Sequence, residues 1–209
     1  WIDHWRLGRF DFLTGDDKSS WYDILAEGWE MLYIPDVKVV TVETPPSDEF
    51  FNSAWQLMRR WFGNMLRTNS RAIALGPGVV GWFPWICVID QRISMWTSLT
   101  GPVITILVSI FVTPYMLLSY LLWVLLTRYL LTLALLTSRP TVSAMYPFLL
   151  YFNQVYDSIV KIYVLYHLDK QKWTRQSTTI ERDISRWKAR SLVLSSNISM
   201  LSAVILFLT

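Results

Sequence analysis

Two adjacent carboxylates, Asp16 and Asp17, follow Thr14-Gly15, and further along Gln56-Leu57-Met58-Arg59-Arg60-Trp61 brings an amide, a guanidinium and an indole close together. A carboxylate at the end of a strand can take a proton from an attacking hydroxyl. A second acid beside it raises its pKa and makes it a better base. Asp17 is the candidate base and Asp16 its support. Arg60 carries a planar fork that bonds a diphosphate in bidentate fashion and keeps its charge. Trp61 offers a flat apolar face on which a sugar ring can stack. Plainer uses exist for the same residues. Asp16 and Asp17 can simply cap a helix, and Arg59, Arg60 and Arg67 can meet anionic lipid while the aromatics anchor the helix.

The elements that must hold these groups follow from local pattern. Phe10-Asp11-Phe12-Leu13 alternates as a short strand, Gly15 turns the chain, and residues 18–30 run on as a helix. Val37-Lys38-Val39-Val40-Thr41-Val42 is β-branched and predicts a second strand. Pro45-Pro46-Ser47-Asp48 ends it and starts a helix over about 48–72. On that helix Phe51, Trp55, Met58 and Phe62 mark an apolar track. Gln56, Arg60, Asn64 and Arg67 mark a polar, cationic one.

Composition splits the chain further. It is 53% hydrophobic with 12 Trp, 10 Tyr and 10 Phe, an aromatic excess that suits membrane interfaces and sugar faces alike. Charges crowd into residues 1–71 and 167–190, whereas 98–137 carries only Arg128. A net charge of +3 is too small to argue for a nucleic-acid partner, and neither zinc spacing nor a P-loop is present. Cys87, the one cysteine, excludes an internal disulfide. His4 and His167 lack a partner pattern and read as structural or surface residues. The opening residues lack the features of a signal peptide, and nothing in the soluble part resembles a nucleotide-sugar cradle. The chain therefore reads as the C-terminal portion of a longer protein, with a donor-binding half upstream.

The apolar half predicts an interfacial segment over 73–97, where Gly76, Pro77, Gly78, Gly81 and Pro84 interleave with Trp82, Trp85 and Trp96. Residues 98–137 suffice for a hairpin of two spans turning near Thr113-Pro114-Tyr115. If 141–166 also spanned, the basic stretch 167–190 would lie outside, against the positive-inside tendency. Its stripe of Asn153, Asp157 and Lys161 suits an interface helix or a polar passage. Residues 191–209 complete the chain as a third span. Arg128 within the hairpin either lines a channel or snorkels and pairs with a neighbouring helix.

Phe12-Leu13-Thr14-Gly15-Asp16-Asp17-Lys18, together with Arg60-Trp61 and the following Arg67, resembles the later motifs of processive family 2 glycosyltransferases. That membrane-embedded group contains the cellulose, hyaluronan, chitin and alginate synthases. TGDDKSSWYD and WQLMRRWFGNMLRTNSRAI are most similar to its alginate-polymerising branch. The resemblance implies an α+β membrane protein. Residues 1–72 would be the C-terminal part of a GT-A type domain, with interface and transmembrane helices after them. It implies Asp17 as base, and Arg60 and Trp61 at the donor diphosphate and the terminal acceptor sugar. The family glutamine falls where this chain has Leu57, so Gln56, one place early, is a substitute whose role stays open. Lys172-Trp173-Thr174-Arg175 resembles a W-G-T-R gating loop lacking its Gly. Trp173, Thr174 and Arg175 would then close over bound nucleotide, although an ordinary basic cytosolic loop has the same composition.

The same resemblance implies GDP-mannuronate as donor and Mg²⁺ or Mn²⁺ held by upstream acidic motifs. It implies a growing polysaccharide within the protein, lipid around it, and a co-polymerase subunit that binds cyclic di-GMP. It places the protein in the bacterial inner membrane with its active site in the cytosol. Rival readings are a synthase of a UDP-sugar polymer, hyaluronan-like or cellulose-like, and a non-catalytic membrane scaffold with degenerate motifs.

Overall fold

A computed structural model describes residues 2–4, 8–10, 16–32, 34, 37, 44–137, 141–168 and 184–208. Two strands, β1 (Ile2–His4) and β2 (Gly8–Phe10), pair antiparallel with Ile2 opposite Phe10 and His4 opposite Gly8. Among the described residues the helices that follow are α1 (Asp16–Ala26), α2 (Phe50–Leu75), α3 (Pro77–Val80), α4 (Trp82–Phe111), α5 (Tyr115–Leu136), α6 (Tyr146–Tyr166) and α7 (Arg186–Leu208). They fall into two compact units, Trp1–Arg92 with Val160–Leu206, and Ile93–Ile159 with Phe207–Thr209.

Among the described residues β structure is confined to this one hairpin, so they do not confirm the α+β expectation. Two three-residue strands cannot carry a core by themselves, and the core is helical. The expected strand at 10–13 has only Phe10 described, as the last residue of β2. The one expected at 37–42 lies outside the described residues apart from Val37, which is not in a strand.

In the first unit, α1 begins two residues earlier than the pattern predicted, so Asp16 and Asp17 occupy its first turn rather than a preceding loop. Carboxylates are favoured there by the helix dipole. The helix stops at Ala26 because Gly28, at φ +80°, takes the left-handed position of a Schellman closure. Gly28 N donates to Leu25 O at 3.1 Å and Trp29 N to Ile24 O at 3.0 Å. Helix α2 starts behind Ser47, whose Oγ accepts the Glu49 N–H at 3.3 Å. It ends where Gly76, also at φ +80°, turns the chain and Pro77 opens α3. Helices α1 and α3 pack together, and α1 also packs on α2. Leu66, Ala72, Val80, Val88, Val160, Ile162, Val164 and Leu168 form the buried apolar core. Each large side chain among them contributes about 1.5–3 kcal/mol.

The second unit contains the rest of α4, all of α5 and the first turns of α6. Helix α4 begins at Trp82 and runs unbroken through Pro102, so most of the segment expected to be irregular is helical. The turn between α4 and α5 falls at Val112–Pro114, and α4 and α5 are each long and apolar enough to cross a membrane. Their Ile110, Phe111, Leu118, Leu122, Trp123 and Leu130 are exposed. Helix α7 covers the stretch expected as a third span. Ser191, Ser195, Ser196, Asn197, Ser199 and Ser202 dilute its apolar character, and it is not among the helices that qualify.

Candidate functional site

Helix α2 is the platform of the site, and its residues divide among three sides because successive residues turn by about 100°. Trp55, Arg59, Phe62, Leu66, Asn69 and Ile73 alternate spacings of four and three and line one packed seam. At its N-terminal half the seam meets the last turns of α6. Trp55 and Tyr163 have ring centroids 5.0 Å apart, the Arg59 guanidinium lies 5.9 Å from the Trp55 ring and 5.8 Å from the Tyr163 ring, and Lys161 Nζ lies 4.6 Å from the Phe62 ring. His167 stacks on Tyr163 at 4.3 Å, with its Nδ1 2.9 Å from the Tyr163 carbonyl oxygen. At its C-terminal half the seam meets α4. Asn69 Nδ2 donates to Gln91 Oε1 at 2.8 Å, Trp85 Nε1 to Ile73 O at 3.2 Å, and Arg92 to Leu66 O at 3.0 Å and to Ser70 Oγ.

A second stripe carries Gln56, Arg60, Asn64, Arg67 and Arg71, spaced four, four, three and four. Gln56 Nε2 donates to Asn52 Oδ1 at 3.0 Å, and Asn52 Nδ2 to Ser47 Oγ at 3.2 Å, which ties Gln56 to the start of the helix. Arg67 is only 3% exposed, and burial pushes its guanidinium down to about 10. It is still a cation at neutral pH. Next to it, Asn64 Oδ1 and Thr68 Oγ1 are buried without a hydrogen-bond partner. Arg71 closes the stripe. Its guanidinium sits 3.6 Å from the Tyr22 ring centroid and 3.5 Å from Asp23 Oδ1, both on α1.

That last contact relates the two sequence motifs. The helix that opens with Asp16-Asp17 docks on the stripe of α2 that also bears Arg60, three turns or about 16 Å from Arg71. Only the backbone of Asp16 and Asp17 is described. Gln56 and Arg60 are neighbours one turn apart on this stripe. Trp61 leaves α2 on a third side, about 100° round from Arg60, and is 48% exposed. Trp173, Thr174 and Arg175 lie outside the described residues. Among the described residues no group of three or more His, Cys, Asp or Glu side chains could hold a metal ion.

Sequence reading missed the division of labour between Arg59 and Arg60. The alternation of four and three from Trp55 to Ile73 would have placed Arg59 in the seam. It also missed Arg71, whose partner Tyr22 is distant in the chain, whereas His167, read as structural or surface, is a buried stacking residue.

In the second unit, Arg128 bonds Gln154 of α6, and Gln154 Nε2 donates to Ser98 Oγ of α4 at 3.3 Å. Pairing with a neighbouring helix is the geometry observed. The Tyr120 and Tyr151 hydroxyls meet at 3.1 Å, so α4, α5 and α6 share one polar layer.

The family profile for glycosyl transferase family group 2 matches residues 3–156, and the chain belongs to that family. It is similar to glycosyltransferase alg8 of Azotobacter vinelandii, 45% identical over 207 residues that make up 99% of this chain and 42% of the relative. It is equally similar to glycosyltransferase alg8 of Pseudomonas syringae pv. tomato, 45% identical over 202 residues, 93% of this chain and 41% of the relative. The chain thus spans about two fifths of the length of these relatives. No solved structure matches it. With α4 and α5 exposing apolar surface, the protein is membrane-associated.

Proposed function

We propose that the full-length protein is an inverting, processive glycosyltransferase that polymerises mannuronate from GDP-mannuronate into the precursor of alginate. The observation that carries this reading is the 45% identity to glycosyltransferase alg8 across nearly the whole chain. It is supported by the docking of α1 on the Arg60 stripe through Arg71.

Asp17 takes the proton of the acceptor hydroxyl as its oxygen attacks the anomeric carbon. The bond from that carbon to the diphosphate oxygen breaks on the opposite side, which inverts the centre and releases GDP. Asp16 supports the base. Arg60 pairs with charge developing on the leaving diphosphate, Gln56 orients acceptor hydroxyls, and Trp61 holds the terminal sugar. A Mg²⁺ or Mn²⁺ ion would neutralise diphosphate charge, with its ligands in the portion of the relatives that this chain does not span. Trp173, Thr174 and Arg175 close over the nucleotide and exclude water.

The same reading completes residues 1–72 as part of a GT-A type domain. It puts the protein in the bacterial inner membrane as a multi-pass enzyme with its site in the cytosol, α6 at the interface and a cyclic di-GMP-binding co-polymerase as partner. Retention of the newly lengthened end by Trp61 at the mouth of a helical channel gives processivity. Membranes holding the full-length protein, incubated with GDP-mannuronate and separately with UDP-sugars, test the reading. Polymer from GDP-mannuronate supports it, and polymer from a UDP-sugar alone overturns it.

A further inference from the structure

Arg59 and Arg60 are chemically identical neighbours, and rolling α2 by one residue, about 100°, would exchange them. The C-terminal half of α2 opposes such a roll through Asn69 with Gln91 and Arg71 with Tyr22, whereas beside Arg59 and Arg60 the flanking Met58 and Trp61 are apolar residues that could each fill a seam. Arg59 is set against the ring pair of Trp55 and Tyr163. Arg59 lies within 6 Å of both ring faces. Tyr163 is also stacked by the buried ring of His167, itself fastened to the Tyr163 carbonyl.

We propose that Arg59 and Tyr163, braced by His167, are positioning residues that lock the rotation of α2, so that Arg60 and Trp61 and not their neighbours face the reactants. The catalytic part of this inference rests on the function proposed above; the rotational lock itself does not. Neither residue touches the reacting atoms. Their effect reaches the site through the one rigid helix that carries both faces, and Lys161 over Phe62 adds a second cation–ring contact one turn on. A positive charge set beside two contacting rings is directional, whereas an aliphatic side chain there would pack in several rotations.

The test uses full-length protein in native membranes with every native cysteine replaced, Cys87 among them, and Trp61→Cys as the single thiol. Maleimide labelling of that thiol reads the rotation of α2 without any donor. Arg59→Met and Tyr163→Leu should each change the labelling rate by about threefold or more, the scale of a lost cation–ring contact. Arg59→Lys and Tyr163→Phe, which keep the charge and the ring, should stay close to the parent. With Trp61 restored, the first two variants should raise the KM for donor and shorten the polymer at unchanged protein level, and the conservative pair should rescue both. Arg59→Gln serves if Arg59→Met fails to accumulate as folded protein. Labelling that is unchanged in folded Arg59 and Tyr163 variants overturns the proposal even where the parent makes polymer. Altered labelling with no polymer from GDP-mannuronate in the parent leaves the lock in place and removes the donor assignment instead.

Discussion

The guanidinium of Arg71 lies 3.6 Å from the ring centroid of Tyr22, and this contact fixes α1 to the stripe of α2 that carries Arg60. Its energy comes mainly from the ring. Asp23, the other partner, is 66% exposed, and an ion pair with so exposed a carboxylate adds little. Arg71→Leu is therefore predicted to destabilise the protein by about 1 kcal/mol, which in a chain of this size lowers the melting temperature by roughly 2–4 °C. Asp23→Asn should leave it nearly unchanged. Thermal unfolding of the two variants checks the ordering, and polymer synthesis should fall in Arg71→Leu alone.

Arg128 is an arginine within the apolar hairpin, held by Gln154. Removing one partner of this part-buried charged bond costs more than removing both. Gln154→Leu is predicted to lower stability in detergent by about 1–3 kcal/mol, and the double variant Arg128→Met with Gln154→Leu should recover part of that loss. Melting of purified protein monitored by size-exclusion chromatography distinguishes the two cases.

Close approach of α4 and α5 depends on Gly101, where an added Cβ would lie 3.0 Å from Tyr120 Oη. Gly101→Val gains a little helix propensity, well under 1 kcal/mol. Overpacking costs about 1–3 kcal/mol. The net prediction is destabilisation, measurable as a lower melting temperature and relieved only in part by Tyr120→Phe, because the ring carbons Cε2 and Cζ would remain 3.2 and 3.4 Å from the added Cβ.

Much of this arrangement was legible in the sequence because it is periodic. The polar track Gln56, Arg60, Asn64, Arg67 and the turn before Tyr115 follow from spacing and from proline, and both are where they were expected. The apolar track kept Trp55 and Phe62 in the packed seam but not its other members. Phe51 is exposed, while Arg59 and Asn69, polar residues, sit in the seam. Hydrophobicity alone cannot anticipate a cation held by rings or an amide paired with Gln91. The stretch around Gly76, Pro77 and Gly81 suggested irregular chain, yet the structure needs these residues only for two tight turns between helices. The β1–β2 hairpin was missed because three-residue strands are too short to show alternation.

The most direct measurement of the central claim is incorporation of labelled mannuronate from GDP-mannuronate by membranes containing the full-length protein, compared with Asp17→Asn at equal abundance. Loss of the base should reduce polymer synthesis by about 10²-fold or more. The variant should still insert and fold, since Asn is also tolerated near a helix start. Polymer made by Asp17→Asn at close to the parental rate would contradict the account.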